Sequence, residues 1–213
     1  MTPSCRVLLL ALLPVFAGCQ SLSGGKPTAP TERLQGTVER VDGQLMLTTC
    51  RPQRQLELID TGDTGLPDDV LALSAGQPLY ADVRGHLAQG RLELTRVYRL
   101  QAEGPGCDDP DLPLTLLRAS GHEPGWNVVV TKAGMLLNRL GDAPMAVPYL
   151  EEQLPDGQTS FSSEANTQRI DLWVAPQRCV DSASGAVTHL TAELRLDDQT
   201  LRGCAYYGGA RSD

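Results

Sequence analysis

The chain reads as an all-β protein: two small antiparallel β-barrel or sandwich domains, the first carrying one short helix. They stand behind an N-terminal signal and a flexible tether. Three observations predict this. Apolar residues recur with a period of two, not 3.6, along most of the chain. Gly, Pro and Asp-Gly turn signals break the alternation into short segments. A charged, Pro-broken stretch, Asp108-Asp109-Pro110-Asp111, separates two such sets of strands.

Composition bounds what the protein can do. The chain has 213 residues, and about 195 remain after the signal, enough for one large or two small domains. Only 4% are aromatic, so the core must rest on Leu, Val and Ala. The formal net charge of −8 argues against a nucleic-acid partner, because phosphate binding needs a basic patch. It also leaves no polybasic surface for anionic lipid. Its plainest role is solubility.

The signal occupies residues 1–18. Arg6 supplies a positive start, and Val7 to Phe16 is apolar but too short for the roughly 20 residues that span a bilayer. Small residues precede a cysteine in Phe16-Ala17-Gly18-Cys19. This ending resembles the lipobox of bacterial lipoproteins, with Phe16 where Leu is usual. The resemblance implies that Cys19 is lipidated and becomes the first residue of the mature chain. Acyl chains there would anchor it at about 0.8 kcal/mol per buried methylene. Gln20, rather than Asp, resembles the outer-membrane case, with the body on the periplasmic face. The tether is placed at 19–32, because Ser21 to Pro30 has almost nothing to bury.

The first domain is placed at 33–107. Leu45 and Leu47, Leu56 and Leu58, Leu79 with Ala81 and Val83, and Leu92 with Leu94 each mark an alternating strand. Asp42-Gly43, Arg51-Pro52, Gly85 and Gln89-Gly90 turn between them. Leu66 to Leu73 differs: Pro67 and two acids open it and Gly76 follows it, which are helix start and stop signals. Three strands, a short helix and two strands is the order of the five-stranded OB-fold barrel. Gly36, the strand ending in Cys50, and Gln77-Pro78-Leu79-Tyr80 resemble the OB-like domain of NlpE-type outer-membrane lipoproteins, although that family's copper-associated Cys-x-x-Cys is absent. OB barrels that bind oligonucleotides use basic and aromatic faces, which this segment lacks.

The second domain is placed at 112–210. Trp126, Val128 and Val130 share a face, and Gly134 turns the chain into Met135 to Leu140. Ile170, Leu172 and Val174 alternate with Asp171 and Trp173, and Leu190 to Leu196 forms a strand with one wet face. Both tryptophans are assigned to the core, where their indole N–H groups need partners. Three motifs stand out: Gly121-His122-Glu123-Pro124-Gly125-Trp126, Cys179-Val180-Asp181-Ser182-Ala183-Ser184-Gly185, and Gly203-Cys204-Ala205. In order and spacing they resemble a family of uncharacterised bacterial envelope proteins, with Gly125 in place of the usual aromatic. The family brings no established activity.

Four cysteines remain once Cys5 leaves with the signal and Cys19 is lipidated: Cys50, Cys107, Cys179 and Cys204. In an oxidising compartment they make two disulfides in one of three pairings, and pairing within each domain is favoured. No His lies near any of them in sequence, which weighs against a metal or redox pair.

The candidate binding residues are His122, Glu123, Trp126, Asp181, Ser184 and Gly185. His122-Glu123 could act as a ligand or acid–base pair, but the following Pro124-Gly125 favours a turn, with Glu123 holding backbone amides. Asp181 to Gly185 is most simply a turn beside a disulfide. The histidines His86, His122 and His189 are isolated, so a zinc site or a His-based triad lacks its residues. No catalytic residue, metal or cofactor is expected. The function expected is a non-enzymatic, lipid-anchored binding or sensing module for envelope maintenance, its partner an envelope protein or small ligand. As an alternative, Ala183-Ser184-Gly185-Ala186 resembles the Ser-Gly loop of periplasmic lysozyme-inhibitor lipoproteins, with Val187-Thr188-His189 where a tyrosine normally follows.

Overall fold

The computed structural model describes residues 30–165 and 168–211. The segments predicted as signal (1–18) and, up to residue 29, as tether, with the predicted lipidation site Cys19, lie outside the described residues. No helix among the described residues is long and apolar enough to cross a membrane.

The first sheet is built from β1 (Thr31–Val41), β2 (Gln44–Thr49), β3 (Gln55–Ile59), β4 (Leu79–Ala88) and β5 (Arg91–Gln101), with α1 (Leu66–Leu73) between β3 and β4. Thr31 and Glu32, assigned to the tether from sequence, are strand residues paired with His86 and Gly85 of β4. The strands close in the ring β1-β2-β3-β5-β4-β1. This is the OB-fold ring, and its β3–β5 pair is parallel while the others are antiparallel. Two register shifts between β4 and β5 add the bend that closure needs. Asp42-Gly43 and Gln89-Gly90 have positive φ at both positions, which a right-twisted two-residue hairpin requires.

α1 forms where its signals stand. Asp60 accepts from the Thr64 and Gly65 amides just ahead of it, and Asp68 and Asp69 sit in its first turn beside the positive end of the helix dipole. Leu66 and Val70, four residues apart, are its buried stripe. They join Val38, Leu47, Leu79, Leu92, Leu94 and Leu100 in the barrel core. Fully burying such a side chain stabilises the fold by about 1.5–3 kcal/mol.

The second sheet contains β6 (Thr115–His122), β7 (Gly125–Thr131), β8 (Gly134–Arg139), β9 (Met145–Val147), β10 (Leu150–Gln153), β11 (Thr159–Ala165), β12 (Gln168–Ala175), β15 (Leu190–Leu196) and β16 (Gln199–Tyr207). Its nine strands run β10-β11-β12-β15-β16-β6-β7-β8-β9, all antiparallel, and curl around one core. The edge strands β9 and β10 are separated in sequence by only Pro148 and Tyr149.

The two bodies share elements. A small hairpin, β13 (Cys179–Val180) with β14 (Val187–Thr188), leaves the second body between β12 and β15 and pairs with β5, which extends the first sheet to seven strands. Tyr98 of β5 is buried in the second core. Arg33 of β1 donates two hydrogen bonds to Asp82 of β4, at 2.8 and 2.7 Å, and two more to the carbonyls of Tyr207 and Gly208 at the end of β16. Asp82 is only 1% exposed and also accepts from Gln35. Burial alone would lower the Arg33 pKa, but the bonds and charge attraction of Asp82 outweigh it and hold the pKa above the usual arginine value. Arg99 of β5, equally buried, lies between the rings of Tyr80 and Tyr206 at 4.5 and 4.2 Å and donates to the Tyr206 hydroxyl.

Candidate functional site

The three sequence motifs meet in one corner. Gly121 to Trp126 is the tip of the β6–β7 hairpin, Cys179 to Gly185 is β13 and its turn, and Gly203-Cys204 lies in β16 beside β6. The Cys179–Cys204 disulfide ties the second motif to the third. The other disulfide is Cys50–Cys107, so the pairing is within each body.

Packing explains the glycines. Gly121 faces Trp126 across the hairpin, and Gly203 lies beside it on the neighbouring strand. A Cβ at Gly121 would run into the Arg202 carbonyl and the Trp126 indole, and one at Gly203 into the Ser120 carbonyl and the same indole. The indole occupies the space that two missing side chains leave. Trp126 is 3% exposed and part of the second core, as expected. Its Nε1 has no hydrogen-bond partner among the described residues.

Asp181 is the polar centre of the corner. Its Oδ1 accepts from the Ala183 amide at 3.1 Å, and from the Ser184 amide and hydroxyl, each at 2.8 Å. Its Oδ2 is 2.7 Å from His122 Nε2. The Gly185 amide returns to the Asp181 carbonyl, and the Asp181 amide donates to Ala186. Partial burial alone would raise the Asp181 pKa, but the bonds from Ser184, His122 and Ala183 prevail and hold the carboxyl below the usual carboxylate range.

Sequence reasoning gave the amide-holding role to Glu123, and the structure corrects this. Glu123 is exposed and makes no hydrogen bond among the described residues, while Asp181 performs that role from the facing turn. The Glu123–Pro124 peptide is cis.

His122, Asp181 and Ser184 are thus brought together, but not in the order that nucleophilic catalysis uses. There a His takes the proton of the Ser hydroxyl and the carboxylate holds the far side of the His. Here the Ser184 hydroxyl donates to the carboxylate, which stands between Ser184 and His122. The arrangement stiffens a turn. The turn also rests on the first body: Gly185 lies beside Leu73 of α1, and Arg178 pairs with Asp69. Among the described residues no three His, Cys, Asp or Glu side chains are grouped to hold a metal ion.

One sequence assignment is overturned elsewhere. Trp173 is not in the core: it is half-buried on the outer face of β12, between the fully buried Leu172 and Val174, and its indole donates to Gln158 at 3.2 Å. Sequence reasoning also missed Arg33, Asp82 and Arg99. The available signal was a charged residue inside the apolar run Leu79-Tyr80-Ala81-Asp82-Val83, which needs a buried partner. No protein-family model, curated protein or solved structure matches this chain.

Proposed function

We propose that this chain is a binding or sensing module of the cell envelope, lipid-anchored at Cys19, facing the periplasm from the outer membrane and acting without catalysis. The observation that carries the reading is the disulfide in each body, Cys50–Cys107 and Cys179–Cys204, which suits an oxidising compartment. The apolar run ending in Ala17-Gly18-Cys19 would deliver the chain to that compartment and anchor it there. In the corner the Ser184 hydroxyl donates to Asp181 and not to His122, so this trio is not ordered as a nucleophile and its base.

Fractionation tests the anchor. Cys19→Ala should leave the protein unprocessed or release it from the membrane fraction, and a processed, membrane-bound variant would overturn the assignment. A hydrolytic activity lost on Glu123→Gln would overturn the non-enzymatic part.

A second reading, lysozyme inhibition, is favoured by the stiffness and exposure of the Ser184 turn. Its seating against α1 weighs on the other side, since an inserting loop must stand clear of its own body. Slowed cell-wall lysis by lysozyme in the presence of the purified protein would support this reading, and unchanged lysis would dispose of it.

A further inference from the structure

We propose that the outer face of β11, β12 and β15 is a binding site for a neutral oligosaccharide, with Trp173 as its stacking platform. The site names a ligand class for the module proposed above but does not depend on the lipid anchor.

The face is a depression of about 510 Å³, within the ~300–1,000 Å³ range of small-molecule sites. Trp173 lines it, with Ser160 and Glu193 as its cross-strand partners. The next row holds Ser162, Asp171 and Arg195 in the same order across the same strands. A half-buried apolar side chain on an outer face needs no explanation by itself. This one differs in that its indole N–H is already fixed by Gln158, so the ring is oriented before any ligand arrives.

The charges that flank Trp173 are paired, while Glu152, which also lines the depression, has no ion-pair partner among the described residues. Arg195 donates twice to Glu193 Oε1, at 2.8 and 2.7 Å, and Arg202 stands 3.6 Å from the other Glu193 oxygen. Asp171 accepts from Ser160 at 3.1 Å and lies 3.6 Å from Arg169. A phosphate would meet three carboxylates here, those of Glu152, Asp171 and Glu193, and an amine would meet the guanidiniums. A neutral ligand that both donates and accepts faces no such opposition. The Arg169 and Arg195 side chains are 70% and 63% exposed, so donors of both five-N–H guanidiniums remain open to a ligand. The carboxylates keep lone pairs beyond those engaged.

A pyranose matches these features. Its C–H face is apolar and flat and can lie on an indole, while its rim of hydroxyls donates and accepts at once. Paired Arg–carboxylate groups beside a Trp present both halves of that rim's requirement. Sugars with equatorial linkages keep the flat face over successive units, so cellotetraose and chitotetraose suit the face better than the curved maltotetraose.

The test is a titration of the full chain, in a detergent without a sugar headgroup, with each of the three tetrasaccharides, read by tryptophan emission and calorimetry. The expected result is saturable binding of cellotetraose or chitotetraose with a shift in emission. Trp173→Ala should weaken it at least tenfold, and Arg195→Ala with Asp171→Asn should weaken it while leaving the melting temperature unchanged. Cys19→Ala should bind as well as the parent. No saturable response to any of the three at about 10 mM overturns the proposal, as does binding that survives Trp173→Ala. Loss of sugar binding alongside a normal Cys19→Ala fractionation would remove the site and leave the anchor reading standing.

Discussion

The two tryptophans stand in opposite regions of the same sheet. Trp126 sits in a corner crowded with recognisable motifs, yet the glycines, the aspartate and the cysteines of those motifs each answer a structural need. Gly121 and Gly203 make room for the indole, Asp181 holds the turn, and Cys179–Cys204 ties the pieces together. Trp173 sits on a face with no motif at all, yet donors, acceptors and an aromatic surface remain open there. Motif density here marks where backbones come close, and ligand-facing chemistry lies where the side chains are not used up by the fold.

That contrast predicts a ranking of effects. Among the largest is Gly203→Ala, whose new Cβ meets the Ser120 carbonyl and the Trp126 ring. It should cost about 4 kcal/mol in equilibrium unfolding, because backbone on one side and a packed indole on the other cannot both yield. Gly125→Ala is its control: the added Cβ meets only Leu140 Cβ at 3.6 Å, an ordinary contact, and the cost should stay within about 1 kcal/mol.

Next comes the corner disulfide. Cys179→Ser with Cys204→Ser opens a link with a sequence separation of 25. The chain-entropy account gives a loss of about 3.5 kcal/mol, measurable as a lower urea midpoint under non-reducing conditions.

Acid should loosen the same corner by a smaller amount. The Asp181 carboxyl is held below its ordinary pKa of 3.8 by folding, so its contribution is complete above that value. It is lost as pH falls through the lower, folded value. Asp181→Asn should remove this part of the stability–pH curve below about pH 4 and leave the neutral region parallel to the parent. A curve unchanged in shape would show that the turn does not draw on the ionised carboxylate.

The smallest effects belong to exposed side chains. Glu123→Gln in the corner and Arg195→Ala on the open face should each stay within about 0.5 kcal/mol of the parent in urea unfolding. A larger loss at Glu123 would mean that the corner has a polar contact beyond those around Asp181.

Much of this architecture was legible in the sequence, and the failures have physical reasons. The first barrel announced itself because its strands alternate cleanly and its helix carries both end signals. β11 did not, because Thr159 and Ser163 share the buried face with Phe161, and a half-polar core face erases the period. The β13–β14 hairpin was hidden because two-residue strands have no period to read. Trp173 is the more instructive case. Its alternation with Ile170, Leu172 and Val174 already placed it with Asp171 on the wet face, but its apolar identity pulled it inward. Position in the pattern was the better guide. Glu123 and Asp181 show the limit at the corner: sequence located both turns, but only the fold shows that Asp181 holds the amides of its own turn and reaches the His122 ring of the other.

The most direct test of the contrast is equilibrium urea unfolding of Trp126→Ala and Trp173→Ala beside the parent, followed by far-UV circular dichroism. The account predicts a loss of about 3–5 kcal/mol at Trp126 and a change within about 1 kcal/mol at Trp173. Equal losses at the two positions, or a larger one at Trp173, would contradict it, because the outer face would then be part of what holds the fold together.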